Sequence, residues 1–108
     1  MLKLNNSMKL KKWQRINSVL RKRKIHHDQI KHINCIRIHA TESKKHFMKK
    51  AEICYDLFKQ GHDFLTEAWT TDRKQRFDIL DLTDDIDIEI ETGKSKKKRY
   101  KADVEYDI

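Results

Sequence analysis

Proline is missing from all 108 residues and glycine occurs twice, at Gly61 and Gly93, so no proline- or glycine-rich linker divides the chain and no glycine-rich phosphate loop is present. Cysteine is nearly as scarce. Cys35 and Cys54 form no CxxC motif and no even framework, which excludes a disulfide scaffold, suits a reduced interior and makes the cytoplasm the expected location. No apolar run approaches the roughly 20 residues that span a bilayer. The opening MLKLNNSMKLKKW has no apolar block of secretory type, so no membrane association is expected. The six histidines lack finger-like spacing with either cysteine, and neither a Gly-x-Ser-x-Gly elbow nor a His/Cys nucleophile pair occurs.

Acids are rare in the first half, and that scarcity organises the chain. Residues 1–50 carry 15 Lys/Arg against 2 Asp/Glu, and residues 51–108 carry 10 against 15, so halves near +13 and −5 make up the net +8. A first half of this kind is drawn to a polyanion, and DNA is the expected partner. The plainer reading is a lysine-laden solvated surface. The length allows one small domain, and the modest apolar content leaves a small core for which a homodimer is one source of support. We divide the chain into a basic N-terminal arm over 1–40 and a domain over 41–108.

In the arm, Trp13, Ile16, Val19 and Leu20 share one side of a helix while Lys11, Lys12, Arg15, Arg21, Lys22 and Arg23 cover the rest. Those six cations are candidate nucleic-acid contacts. A short strand is expected over 35–39. Thr41 or Ser43 then offers an N-cap, and apolar residues recur at helical intervals from Phe47 to Phe58, with Gly61 as the stop. Beyond Gly61 the period changes to two: HDFLTEAW, RFDILDL and IDIEIE read as strands joined by TTDRKQ and TDD. After Gly93, SKKKRYKADVEYDI reads as a helix with Tyr100, Val104 and Ile108 on its apolar side.

The chemistry is concentrated in RFDILDLTDDIDIEIETGK. Residues two apart on a strand share a face, separated by roughly 6.6 Å along the backbone. Asp78 on one strand and Glu89 and Glu91 on the next are therefore expected to converge on one hard divalent cation, Mg²⁺ or Mn²⁺. A cationic run follows at once, and Lys96, Lys97, Lys98 and Arg99 join the expected nucleic-acid contacts. An acidic metal site beside a phosphate-attracting surface outlines a metal-dependent nuclease. The bland alternative is a solvated hairpin whose acids face water.

The order helix, strand, strand with Asp, strand with Glu, helix resembles the restriction-endonuclease-like PD-(D/E)xK nuclease superfamily over residues 42 to about 106, and within it the archaeal Holliday-junction resolvases and small archaeal or viral nucleases. The resemblance implies an α/β (α+β) fold with an αβββα core, a basic N-terminal helical arm and, in the family, a further closing strand. By position it implies that Asp78 and Glu89 bind the metal and that Glu52 is the assisting helix acid. Glu91 stands where the family has lysine, so Lys94 or Lys96 takes that role or Glu91 is itself a ligand. It further implies an endonuclease acting on DNA, with branched or junction DNA as substrate. The alternative is a catalytically inactive nuclease-like regulator that binds nucleic acid. The chain is expected to run out near the second helix, before the closing strand, so that either a dimer supplies that strand or the domain is a truncated one.

Overall fold

The computed structural model describes residues 6–91 and 102–108, and the fold is a mixed α+β arrangement of two helices and a four-stranded sheet. Helix α1 spans Asn6–Lys22, a 3₁₀ segment spans His27–His32, and helix α2 spans Lys44–Lys59. Strands β1 (Phe64–Trp69), β2 (Arg76–Asp81), β3 (Ile86–Glu91) and β4 (Val104–Asp107) follow. The sheet order is β1-β2-β3-β4, antiparallel across the first two pairs and parallel across the third.

Helix α1 forms because Ile16, Val19 and Leu20, spaced i, i+3, i+4, turn one stripe inward, and Arg21 and Lys22 sit where the helix dipole favours cations. That stripe packs with Leu65, Ala68, Phe77, Leu80 and Leu82 of the sheet region. Trp13, expected on the same side, is largely exposed.

Helix α2 starts where the Ser43 side chain accepts a hydrogen bond from the His46 amide at 3.1 Å. It ends in a Schellman turn, with His62 N bonded to Leu57 O and Gly61 N to Phe58 O. Gly61 has φ +80°, and no atom lies within 4 Å of where a Cβ would sit, so backbone conformation alone selects glycine there. The inner face of α2, Ile53, Cys54 and Leu57, forms a second core with Phe64, Ile79, Ile88 and Ile90. Burial pushes the Cys54 thiol up to about 12, which leaves it an inert packing group.

Two expectations are corrected. Residues 35–39 form no strand: the Arg37 amide bonds to Thr66 Oγ1 at 2.8 Å and the Arg37 guanidinium reaches the carbonyl oxygens of Thr66 and Glu67. Side chains thus cover the edge of β1 where a ladder was expected. The C-terminal segment is not helical over 104–107, which form β4 against β3 in the register Ile88↔Val104 to Glu91↔Asp107. Val104 and Ile108 pack against the second core, and an exposed β3 edge gains a partner, which outweighs the weak helical period. The strand that a dimer was expected to supply is therefore contributed by this chain. Residues 95–101 of the expected helix lie outside the described residues, and no helix among the described residues is long and apolar enough to cross a membrane.

Candidate metal centre

The hairpin registers place the acids. Thr66↔Ile79 and Ala68↔Phe77 bracket Glu67 and Asp78 on β1 and β2, and the β2–β3 register ends at Ile79↔Ile88, one residue short of Asp78 and Glu89. At this point regular alternation slips. Phe77 belongs to the α1 core and Ile79 to the α2 core although they are two apart, and Glu67, in mid-strand, has φ +50°. A non-glycine residue held there costs of order 1–3 kcal/mol. The β2–β3 ladder parts beyond Ile79, and Asp78 Oδ2 takes the Ile90 amide as hydrogen-bond donor at 2.9 Å.

Asp78 and Glu89 are both buried and joined by a side-chain hydrogen bond. Two carboxyl groups in such contact share a proton or take a cation between them. Burial by itself pushes the Asp78 carboxyl up; the bonds from Glu89 and the Ile90 amide, with the positive fields of His46 and Arg76, outweigh it and hold the group below the ordinary carboxylate range. Arg76 Nη2 lies 3.4 Å from Asp78 Oδ1, and His46 Nε2 lies 3.6 Å from Oδ2.

Behind Asp78 sits a charged cluster from the start of α2. Lys50 is fully buried and donates to Glu42 Oε1 at 2.8 Å and to the Arg37 carbonyl. Glu42 also accepts the His39 amide at 3.2 Å and is paired with His46 Nδ1. Desolvation raises the Glu42 carboxyl, but Lys50, the His39 amide and His46 together bring it below its ordinary value. His46 thus stands between two carboxylates, Glu42 on one ring nitrogen and Asp78 on the other.

Glu67 completes the surroundings. Its side chain is 9 % exposed and neither carboxylate oxygen accepts a hydrogen bond; the nearest cations are Arg76 Nη1 at 3.8 Å and Lys50 Nζ at 3.9 Å from Oε1. Burial raises its pKa, with the neighbouring charges of Asp78 and Glu42 acting in the same direction and Arg76 and Lys50 opposing. Hard carboxylate oxygens held in a buried row, one of them lacking donors, fit Mg²⁺ or Mn²⁺ in kind.

Of the residues expected at the site, Asp78 and Glu89 come together. Glu91 is half-buried at the end of β3, in register with Asp107. Glu52 is exposed on α2 and pairs with Lys49 at 3.7 Å. The acid that reaches the site from this region is Glu42, ten residues earlier. Lys94, Lys96, Lys97, Lys98 and Arg99 lie outside the described residues. In the arm, Lys12 pairs with Asp63 at 3.3 Å, Lys22 with Asp85, and Arg23 with Asp85 and Asp103 at 2.7 and 3.0 Å. Lys11, Arg15 and Arg21 are exposed.

Among the described residues, one set of three has ligand atoms all within 4.8 Å of one another: His62, Asp81 and Asp84, at the turn between β2 and β3. Asp81 there accepts His62 Nδ1 at 2.8 Å and the amides of Thr83 and Asp84, which is the work of a turn cap.

No protein-family model, curated protein or solved structure matches this chain.

Proposed function

We propose that this chain is a metal-dependent endonuclease that hydrolyses DNA phosphodiester bonds, with branched or junction DNA as the favoured substrate through its resemblance to the resolvases. The observation that carries the reading is the buried Asp78–Glu89 pair, adjacent on neighbouring strands, with Asp78 locked by the Ile90 amide where the ladder parts. The element order supports it. Helix α2, the meander β1-β2-β3 and a strand parallel to β3 match the αβββ and final β of the restriction-endonuclease-like order, and the place of its second helix lies outside the described residues. The 12 residues between Glu91 and Val104 give the length that a parallel crossover of a dozen or so residues needs.

In this reading Asp78 and Glu89 hold Mg²⁺ or Mn²⁺. The bound cation supplies charge stabilisation for the phosphoryl oxygens and a more acidic water. Glu42, Lys50 and His46 fix the electrostatic setting behind Asp78, and the Ile90 amide fixes its rotamer. The lysine that orients the water falls to Lys94 or Lys96. Lys11, Arg15 and Arg21 on α1 and the run Lys96 to Arg99 attract the phosphate backbone.

The test is incubation of plasmid, linear and four-way-junction DNA with Mg²⁺ or Mn²⁺, using the wild type, Asp78→Asn and Glu89→Gln. Cleavage by the wild type, lost in both variants, is the expected result. Salt-sensitive DNA binding with no cleavage in either metal would instead identify the inactive regulator that Glu91 in the lysine position also fits.

A further inference from the structure

The sequence points to Glu91 as the third acidic ligand, but the geometry favours another. We infer that Glu67 of β1 is a ligand of the same cation, so that the centre is a carboxylate row, Glu67–Asp78–Glu89, running across three strands. The inference rests on the metal-dependent reading above and names a residue which that reading does not use.

Register is the first ground. Thr66↔Ile79 and Ala68↔Phe77 bracket Glu67 and Asp78, the Arg76 guanidinium lies 3.8 Å from Glu67 Oε1 and 3.4 Å from Asp78 Oδ1, and Asp78 is in turn bonded to Glu89. Glu91 lies beyond the Ile90 amide that Asp78 accepts, at the end of β3 and in register with Asp107 of β4.

The second ground is independent of the row. Buried carboxylates are ordinarily met by two or three donors, and a buried oxygen without one loses its hydration uncompensated. Both oxygens of Glu67 are in that condition, with the side chain nine-tenths buried and the cations facing Oε1, Arg76 and Lys50, each beyond hydrogen-bonding distance. Asp78, one strand away, has its lone pairs engaged by the Ile90 amide, Glu89 and Arg76. Glu67 therefore brings unused acceptor capacity to the row. A divalent ion takes up that capacity and replaces the partial compensation from Arg76 and Lys50. The oxygens of the row do not yet close as a set within 4.8 Å, and rotation about the glutamate side chains is what brings them in.

Calorimetric titration of Mn²⁺ into the full chain tests this without relying on cleavage. Wild type is expected to bind Mn²⁺ and Asp78→Asn to lose it; Glu67→Gln weakens binding at least about tenfold while Glu91→Gln stays within about twofold. Metal-free Glu67→Gln is expected to melt no lower than wild type, since it removes a buried charge, and to lose the rise in melting temperature that Mn²⁺ gives the wild type. Should Glu67→Gln not fold, Glu67→Asp serves in its place, keeping the charge and weakening Mn²⁺ through its shorter reach.

Mn²⁺ affinity unchanged in Glu67→Gln, but lost in Asp78→Asn, overturns Glu67 as a ligand and leaves the nuclease reading standing. A tenfold loss in Glu67→Gln, in a chain that cuts no DNA, keeps the ligand and removes the nuclease. Wild type that binds no Mn²⁺ overturns both.

Discussion

Replacing Lys50 by methionine keeps an unbranched side chain, one atom shorter, and removes its charge. In the native protein the ammonium is wholly buried, 2.8 Å from Glu42 Oε1 and bonded to the Arg37 carbonyl, so Lys50→Met leaves a carboxylate whose side chain is 2 % exposed without its buried cation, keeping the His39 amide and His46 as partners. Removing one partner of a buried ion pair costs about 3–5 kcal/mol. At about 4–8 °C per kcal/mol for a domain near this size, the melting temperature should fall by at least roughly 12 °C. The second step is Glu42→Gln in the same background, which retains a carbonyl oxygen for the His39 amide and abolishes the stranded charge. The double variant should recover more than half of the loss, and a double-mutant cycle by thermal and urea unfolding measures the coupling. The pH dependence has a definite sign. In the wild type Glu42 is held below its ordinary value of 4.5, so its contribution is present above that pH and is lost as pH falls through the lower folded value. In Lys50→Met burial is left without its main opponent, the folded value rises, and the deficit should shrink as the medium is acidified. A melting temperature within about 2 °C of wild type would refute the burial argument. So would a double variant no more stable than Lys50→Met alone.

Four further outcomes follow from the same geometry. Gly61→Ala should lower stability by about 1–2 kcal/mol from backbone strain alone, read by urea unfolding, because no neighbouring atom obstructs the added methyl. The His62 ring is held above its ordinary 6.5 by its bond to Asp81, so its contribution is complete below that pH and disappears as pH rises through the folded value; His62→Gln should flatten that part of the stability profile. Arg23→Ala removes charged hydrogen bonds to Asp85 and Asp103 and should cost about 1.5–3 kcal/mol, a loss that high salt narrows. Lys11→Gln, Arg15→Gln and Arg21→Gln should each weaken DNA binding and reduce the slope of log K against log salt by about 0.9 where the side chain meets a phosphate, with little change in melting temperature.

The meander and α2 were legible because their signals are local. Strict alternation in IDIEIE, a serine one residue ahead of an apolar period of 3.6, and a glycine at the position that needs positive φ each act within a few residues. The acidic row was also legible in principle. Reflecting Asp78 through the middle of TTDRKQ lands on Glu67, and reflecting it through the middle of LTDD, residues 82–85, lands on Glu89.

What was not legible depends on partners distant along the chain. Met48, Tyr55 and Phe58 fit the helical period of α2 yet are exposed, because the face that meets the sheet is set by Ile53, Cys54 and Leu57. No local pattern marks Lys50 for burial, which only the approach of Glu42 and the Arg37 carbonyl makes tolerable. Val104–Asp107 became a strand because β3 had an edge to fill.

Arg23 binds partners 62 and 80 positions away, Asp85 and Asp103, and so fastens the end of α1 to the β2–β3 turn and to the entrance of β4. During synthesis the first helix must wait, unanchored, for most of the polypeptide to emerge before this clasp can close. Refolding should accordingly be limited by late, long-range docking rather than by helix formation, and the apolar stripe of Ile16, Val19 and Leu20 is the surface left open to wrong partners in the interval.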